Sequence, residues 1–185
     1  MSTIDRLVSN YSRQVRLPWA RNLSGKQRVW LAVHPPADER RVRARLPQFE
    51  AITMEARHAW STVDLTRLLP EWIAAHEYRE GIFEDPSNLS PGGEMESRAT
   101  GLLVEACTRD GVDHSSVVAV VGLASLFDYV RVSSLIEQVE DHIRGRLLLF
   151  FPGEYRLNTY RFMDARDGFN YMAVPITSTE TFINP

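Results

Sequence analysis

The chain has 185 residues, of which 44% are hydrophobic and 24% charged, with a formal net charge of −3. This is the composition of an ordinary globular domain with its own core, and it excludes a low-complexity chain and any overall charge drive toward nucleic acid or an anionic membrane. The balance hides an asymmetry: residues 1–57 hold 11 Lys and Arg against 5 Asp and Glu, and the remainder holds 10 against 19. A basic first third could meet an acidic partner or phosphate, and pairing with the acidic remainder of the fold is the simpler reading.

In chain order, Ser2 and Thr3 are candidate caps for a helix over 3–16, with Ile4, Leu7, Val8, Tyr11 and Val15 at helical spacing and Pro18 as the stop. "QRVWLAVH" reads as a first strand, closed by Pro35-Pro36. "ADERRVRARLPQFEAITMEA" reads as a helix with one arginine-rich face, bent or broken near Pro47. "RHAWSTVDL" has the content of a second strand, and "LTRLLPEWIAAHEYREGIF" returns to helical spacing. A surface loop is expected at about 84–93, where two prolines and two glycines cluster. A helix over "EMESRATGLLVEACTRD" then carries Met95, Ala99, Leu102, Leu103 and Ala106 on one side.

"HSSVVAVVGLA" is a strong buried strand, followed by a helix with Val132, Leu135, Ile136, Val139 and Ile143 on one stripe. "GRLLLFFPG" supplies a further strand, which the Pro-Gly pair is expected to end in a rigid turn. "EYRLNTYRFMD" and "NYMAVPIT" are shorter strands near the sheet edge, and a short tail is expected at about 177–185. Near-continuous apolar runs mark strands covered on both faces. The expected fold is therefore one α/β domain over 1–185: a three-layer sandwich with a mostly parallel central sheet of about four to six strands and helices on both faces.

The residues offer little chemistry. Glycine-rich candidates at "LSGKQR", "VVGLASL" and "FFPGEY" each lack parts of a phosphate loop. His34, His58, His76, His114 and His142 are scattered with no metal-ligand spacing, and "GLASLF" lacks the second glycine of a serine-nucleophile elbow. Asp64, Glu84, Asp85 and the Asp164–Asp167 pair read as caps and loop acids. The single cysteine, Cys107, reads as a buried structural thiol. No catalytic residue, metal or cofactor is expected. With no disulfide to form and no leader or membrane-spanning segment in this sequence, a cytoplasmic location is expected. Arg40, Arg41, Arg43 and Arg45 form a candidate basic face, but without interleaved aromatic residues direct DNA binding is not expected of it.

The carboxyl-terminal half carries a more specific pattern. "VVAVVGLASLFDYVRVSSLIEQV", "RLLLFFPGEYRLNTYRFMD" and "FNYMAV" together resemble the BrxB family, small components of the bacterial BREX phage-exclusion systems. The resemblance spans residues 115–174 and maps onto Gly122, Phe127 or Tyr129, Arg131, Phe150, Phe151, Pro152, Gly153, Tyr155, Asn170 and Tyr171. "VHPPADE" is similar to the family's opening as well. The chain departs from the family pattern at Asp128, where proline is expected, at Ser133 or Ser134, and at Met172 and Ala173. The resemblance implies a non-catalytic role in a system that methylates host DNA and blocks phage. Its companions there are a large ATPase, an adenine-specific DNA methyltransferase and PglZ, which has an alkaline-phosphatase-like domain and is the expected direct partner. The candidate interface or structural motif is Arg131, Phe151, Pro152, Gly153, Glu154, Tyr155, Asn170 and Tyr171. The alternative is a degenerate nucleotide- or small-ligand-binding domain with a regulatory role.

Overall fold

The structure, a computed structural model, describes residues 2–89, 91–165 and 168–179. Position 90 of the expected loop, Asp167 of the acidic pair and the tail from 180 onward lie outside the described residues.

Helix α1, Thr3–Val15, begins at a capping box in which Ser2 and Asp5 exchange hydrogen bonds, and buries Ile4, Leu7, Val8, Tyr11 and Val15. Strand β1, Val29–His34, is followed by α2, Glu39–Ala44, and α3, Leu46–Glu55. The break between these helices falls at Arg45, and Pro47 enters the first turn of α3, where its missing N–H costs no helical bond. Strand β2, Ala59–Asp64, leads to α4, Leu68–Ala75, and α5, Arg79–Glu84. One helical run was expected there; it is divided because His76 turns extended, with its Nδ1 accepting from the Tyr78 amide at 3.2 Å. Helix α6, Gly92–Thr108, precedes β3, Ser116–Val121, and α7, Val132–Val139, precedes β4, Arg146–Arg156. The chain closes with β5, Thr159–Phe162, and β6, Val174–Ile176.

The sheet has six strands, with β2-β3-β4-β1-β6 running parallel and β5 antiparallel to β4. Helices cover both faces, as expected. Successive residues of a strand point to opposite faces, so each buried strand feeds two cores. Val29, Leu31, Val118, Leu147, Leu149 and Phe151 meet α6 and α7 on the first face, whereas Trp30, Ala32, Val117, Leu148 and Phe150 meet α1 and α3 on the second. This two-sided demand explains the unbroken apolar runs of β1, β3 and β4. On α6, Met95, Ala99, Leu103, Ala106 and Cys107 are buried, but Leu102 is exposed, being one helical position off that stripe. Among the described residues no helix is long and apolar enough to cross a membrane.

One expectation is corrected. "LLLFFPGEY" does not end in a turn: β4 runs through Pro152 and Gly153 to Arg156. Pairing with β3 has ended by Leu149, so the proline removes no rung on that side, and its carbonyl accepts from the Met163 amide at 2.8 Å. Gly153 is not left-handed; it is needed because a Cβ there would collide with the Arg161 carbonyl of β5. The Pro-Gly pair therefore marks a change of partner, from parallel β1 to antiparallel β5.

Candidate functional site

Open parallel sheets bind ligands and partners beyond the carboxyl ends of their strands. Two features lie at that end here. The first is a polar chain linking β1 to β2. His34 is buried at the end of β1, with Nδ1 3.0 Å from the Pro35 carbonyl and Nε2 3.3 Å from Glu39 Oε2. Burial holds His34 below the ordinary imidazole range, and a neutral ring supplies one N–H for these two acceptors. Glu39 also faces Arg43 at 3.5 Å, and Arg43 forks onto Asp64 at 3.0 and 3.1 Å while donating to the Thr66 hydroxyl. These bonds, the Arg43 contact first among them, bring the Asp64 carboxyl down to about 2. Thr66 and Asp64 close directly over Gly122, whose φ of 85° is left-handed.

The second feature is a cleft of about 880 Å³ between the β3–α7 connection, the start of α6 and the segment after β5. Phe127, Tyr129, Phe162 and Phe169 supply its aromatic lining, and Arg131, Asp128 and Glu96 its charged lining. Glu96 accepts from Ser134 and Gln138, both at 2.6 Å, whereas Arg131 has no carboxylate partner among the described residues. Asp128 has φ 71°, which the ring of a proline excludes. The departure from the family pattern at this position thus has a conformational counterpart.

Beside the cleft, the β4–β5 hairpin packs onto the first face through Tyr160 and Phe162. The ring of Phe151 lies 5.4 Å from Phe162 and 6.0 Å from both Tyr160 and Phe169. Tyr155 lies 4.6 Å from Tyr160, with its hydroxyl donating to Asn158 at 3.0 Å. Leu157 and Asn158 form the tip, both left-handed, and Leu157 is 97% exposed. Two consecutive positive φ values suit a tight hairpin, but leucine is a poor residue for that conformation.

The sequence candidates divide accordingly. Phe151, Pro152 and Gly153 are buried beneath the hairpin, Glu154 is exposed on it, Tyr155 is half-buried, and Arg131 reaches the same region through the cleft. Asn170 is exposed next to Phe169. Tyr171 lies apart: its hydroxyl donates to the Glu140 carboxylate and Lys26 sits 5.6 Å over its ring. Of the arginine-rich run, Arg41 pairs with Asp38, Arg43 with Glu39 and Asp64, and Arg45 with Asp5, leaving Arg40 exposed with no ion-pair partner among the described residues. Leu157, His34, Glu39 and Thr66 were not candidates from sequence; a single leucine before Asn158 was the only hint of the tip. Among the described residues no three His, Cys, Asp or Glu side chains gather to hold a metal.

No protein-family model, curated protein or solved structure matches the chain.

Proposed function

We propose that this chain is a non-catalytic assembly component of a BREX phage-defence complex, binding a PglZ-like protein and thereby supporting host DNA methylation and phage restriction. The reading starts from the BrxB-like motif and is supported by one observation above all. Phe151 and Tyr155, both on β4, pack with Phe162 and Tyr160 of β5 in a single aromatic hairpin that holds Leu157 out in solvent, and Arg131, distant in sequence, lines the cleft beside it. An exposed leucine on a left-handed backbone is unfavourable for the isolated fold and suits a partner's pocket. The methyltransferase and the large ATPase of the same system would be reached through that assembly.

The test is affinity capture of the tagged protein from its host, with Arg131→Ala, Tyr155→Ala and Leu157→Asn beside the parent. Recovery of a PglZ-like protein by the parent, reduced in the folded variants, is the expected result. A parent recovered alone at gentle salt, or variants that capture as well as the parent, would refute the assignment. The alternative reading, a regulatory domain binding a nucleotide or small ligand, is favoured by the cleft, where Arg131 stands among three phenylalanines. A nucleotide thermal-shift panel separates the two, because only the alternative expects stabilisation that Arg131→Ala removes.

A further inference from the structure

The opposite end of the sheet, where β1, β2, β3 and β4 begin, gathers six arginines that are scattered in sequence: Arg21, Arg28, Arg57, Arg109, Arg144 and Arg146. Every ion pair among the described residues lies elsewhere, so none of the six has a carboxylate partner. Instead they stitch the loops together. Arg28 donates to the carbonyls of Leu23, Ile143, Arg144 and Arg21 at 2.8–3.2 Å. Arg144 donates to Val112 at 3.1 Å, Arg21 meets His114 at 3.2 Å, and the carbonyls of Arg109 and Arg57 accept from Val112 and Ser115.

Arg146 is only 5% exposed; it donates to Gly145 and Ala20 and lies 4.6 Å from the centre of the Trp19 ring, which is also stacked on His58 at 3.7 Å. Burial, with Arg28 alongside, brings this guanidinium down to about 10. The acids in the neighbouring loops are Asp110, Asp113, Glu140 and Asp141. Of these, Asp113 caps its own turn through Ser115 and Ser116, and Glu140 is taken by Tyr171.

A second observation points the same way. Arg57 closes α3 in the left-handed conformation, φ 66°, with the His58 amide reaching back to Thr53 at 3.1 Å. That position suits glycine, and an arginine there is strained. Strain of this kind is expected where the side chain serves something other than the fold.

Like charges gathered in a partly dry environment repel unless an anion from outside joins them. The four exposed members, Arg21, Arg57, Arg109 and Arg144, precede four different strands, β1, β2, β3 and β4, so an anion that meets them all is an extended one. Protein interfaces are depleted of charge at their centre, and this surface is charged there. Trp19 is already engaged by Arg146, His58 and Trp30 and is only partly exposed, which makes it a poor stacking platform for single-stranded bases. We propose that this end of the sheet binds the phosphate backbone of duplex nucleic acid without reading its sequence.

The test is fluorescence anisotropy with a labelled 20-base-pair duplex, about that length being enough to span the face, over a salt series. Four neutralised phosphates predict a slope of log K against log salt of about −3 to −4. The variant R21A/R57A/R109A/R144A is expected to lose at least about tenfold in affinity, whereas R40A/R41A keeps it. Arg57→Gly guards against misfolding as an explanation: it is expected to raise the melting temperature and weaken binding together. The inference would be overturned by no binding at low salt, by undiminished binding of the quadruple variant, or by polyglutamate bound more tightly than the duplex. The last result would identify an acidic protein as the occupant. The proposal does not rest on the assembly reading, since it uses the purified chain and partner capture can be done after nuclease treatment.

Discussion

Two left-handed glycines in this fold share the same φ but not the same surroundings, Gly111 being exposed and Gly122 buried, and the comparison shows what the polar chain at the carboxyl end demands. Gly111 and Gly122 have φ of 86° and 85°, but a Cβ on Gly111 would meet nothing within 4 Å. On Gly122 it would lie 2.6 Å from the Thr66 hydroxyl, 2.7 Å from the Thr66 amide nitrogen and 3.0 Å from Asp64 Oδ1. Forcing alanine into the left-handed region costs about 1–2 kcal/mol, offset by about 0.4–1 kcal/mol from the stiffer unfolded chain. Both variants share that difference, so Gly111→Ala should be destabilised by about 0–1.6 kcal/mol. Gly122→Ala must also push back the β2 end with its Arg43 fork, adding about 1–3 kcal/mol. Thr66→Ala would not rescue it, because the amide nitrogen remains in the way. With a urea m-value of about 2 kcal/mol/M, the two midpoints should separate by about 1 M. Equal midpoints would show that the close approach of Thr66 to Gly122 carries no energy.

Acid should act on the fold in two stages. His34 and His58 are held below 6.5 by burial, so the unfolded chain takes up protons first and stability falls as pH drops below about 6.5. Asp64 is held down to about 2 from 3.8, so its contribution is complete above about pH 4 and is lost toward pH 2. Urea midpoints across pH should show both stages, with the lower one reduced in Asp64→Asn. The Cys107 thiol, pushed up to about 11 by burial, should react with a thiol reagent only as fast as the protein opens, whereas in denaturant it should react at once. Leu157→Asn should raise stability by about 1 kcal/mol, read as a melting temperature about 2–4 °C higher, because asparagine accepts the left-handed tip.

Strands β1, β3 and β4 were legible because burial on both faces writes itself as unbroken apolar runs, and α1 because its cap and its stripe are local. The hairpin was not. Pro152-Gly153 usually stops a strand, and only the loss of β3 as a neighbour, combined with the approach of Arg161, makes the pair compatible with continuing. Arginine density misled in a similar way. The run from Arg40 to Arg45 looks basic, but the fold supplies Asp5, Asp38, Glu39 and Asp64 from three separate segments to meet it. The six arginines at the opposite end lie scattered between Arg21 and Arg146, and only the parallel sheet, by starting four strands at one end, brings them together.

That arrangement has a consequence for how the two proposed surfaces work together. The hairpin and cleft lie at the carboxyl end of the sheet and the arginines at the amino end, separated by strands buried on both faces. No residue belongs to both, so perturbations at the two ends should add independently. Duplex affinity should therefore be unchanged in Leu157→Asn, and partner capture unchanged in R21A/R57A/R109A/R144A. A partner added to the duplex-bound chain should raise the complex mass without displacing the label. Competition between partner and duplex would mean that one ligand covers both ends or that the sheet transmits binding between them. In either case the chain would select between its ligands, whereas two independent ends would let it hold both at once.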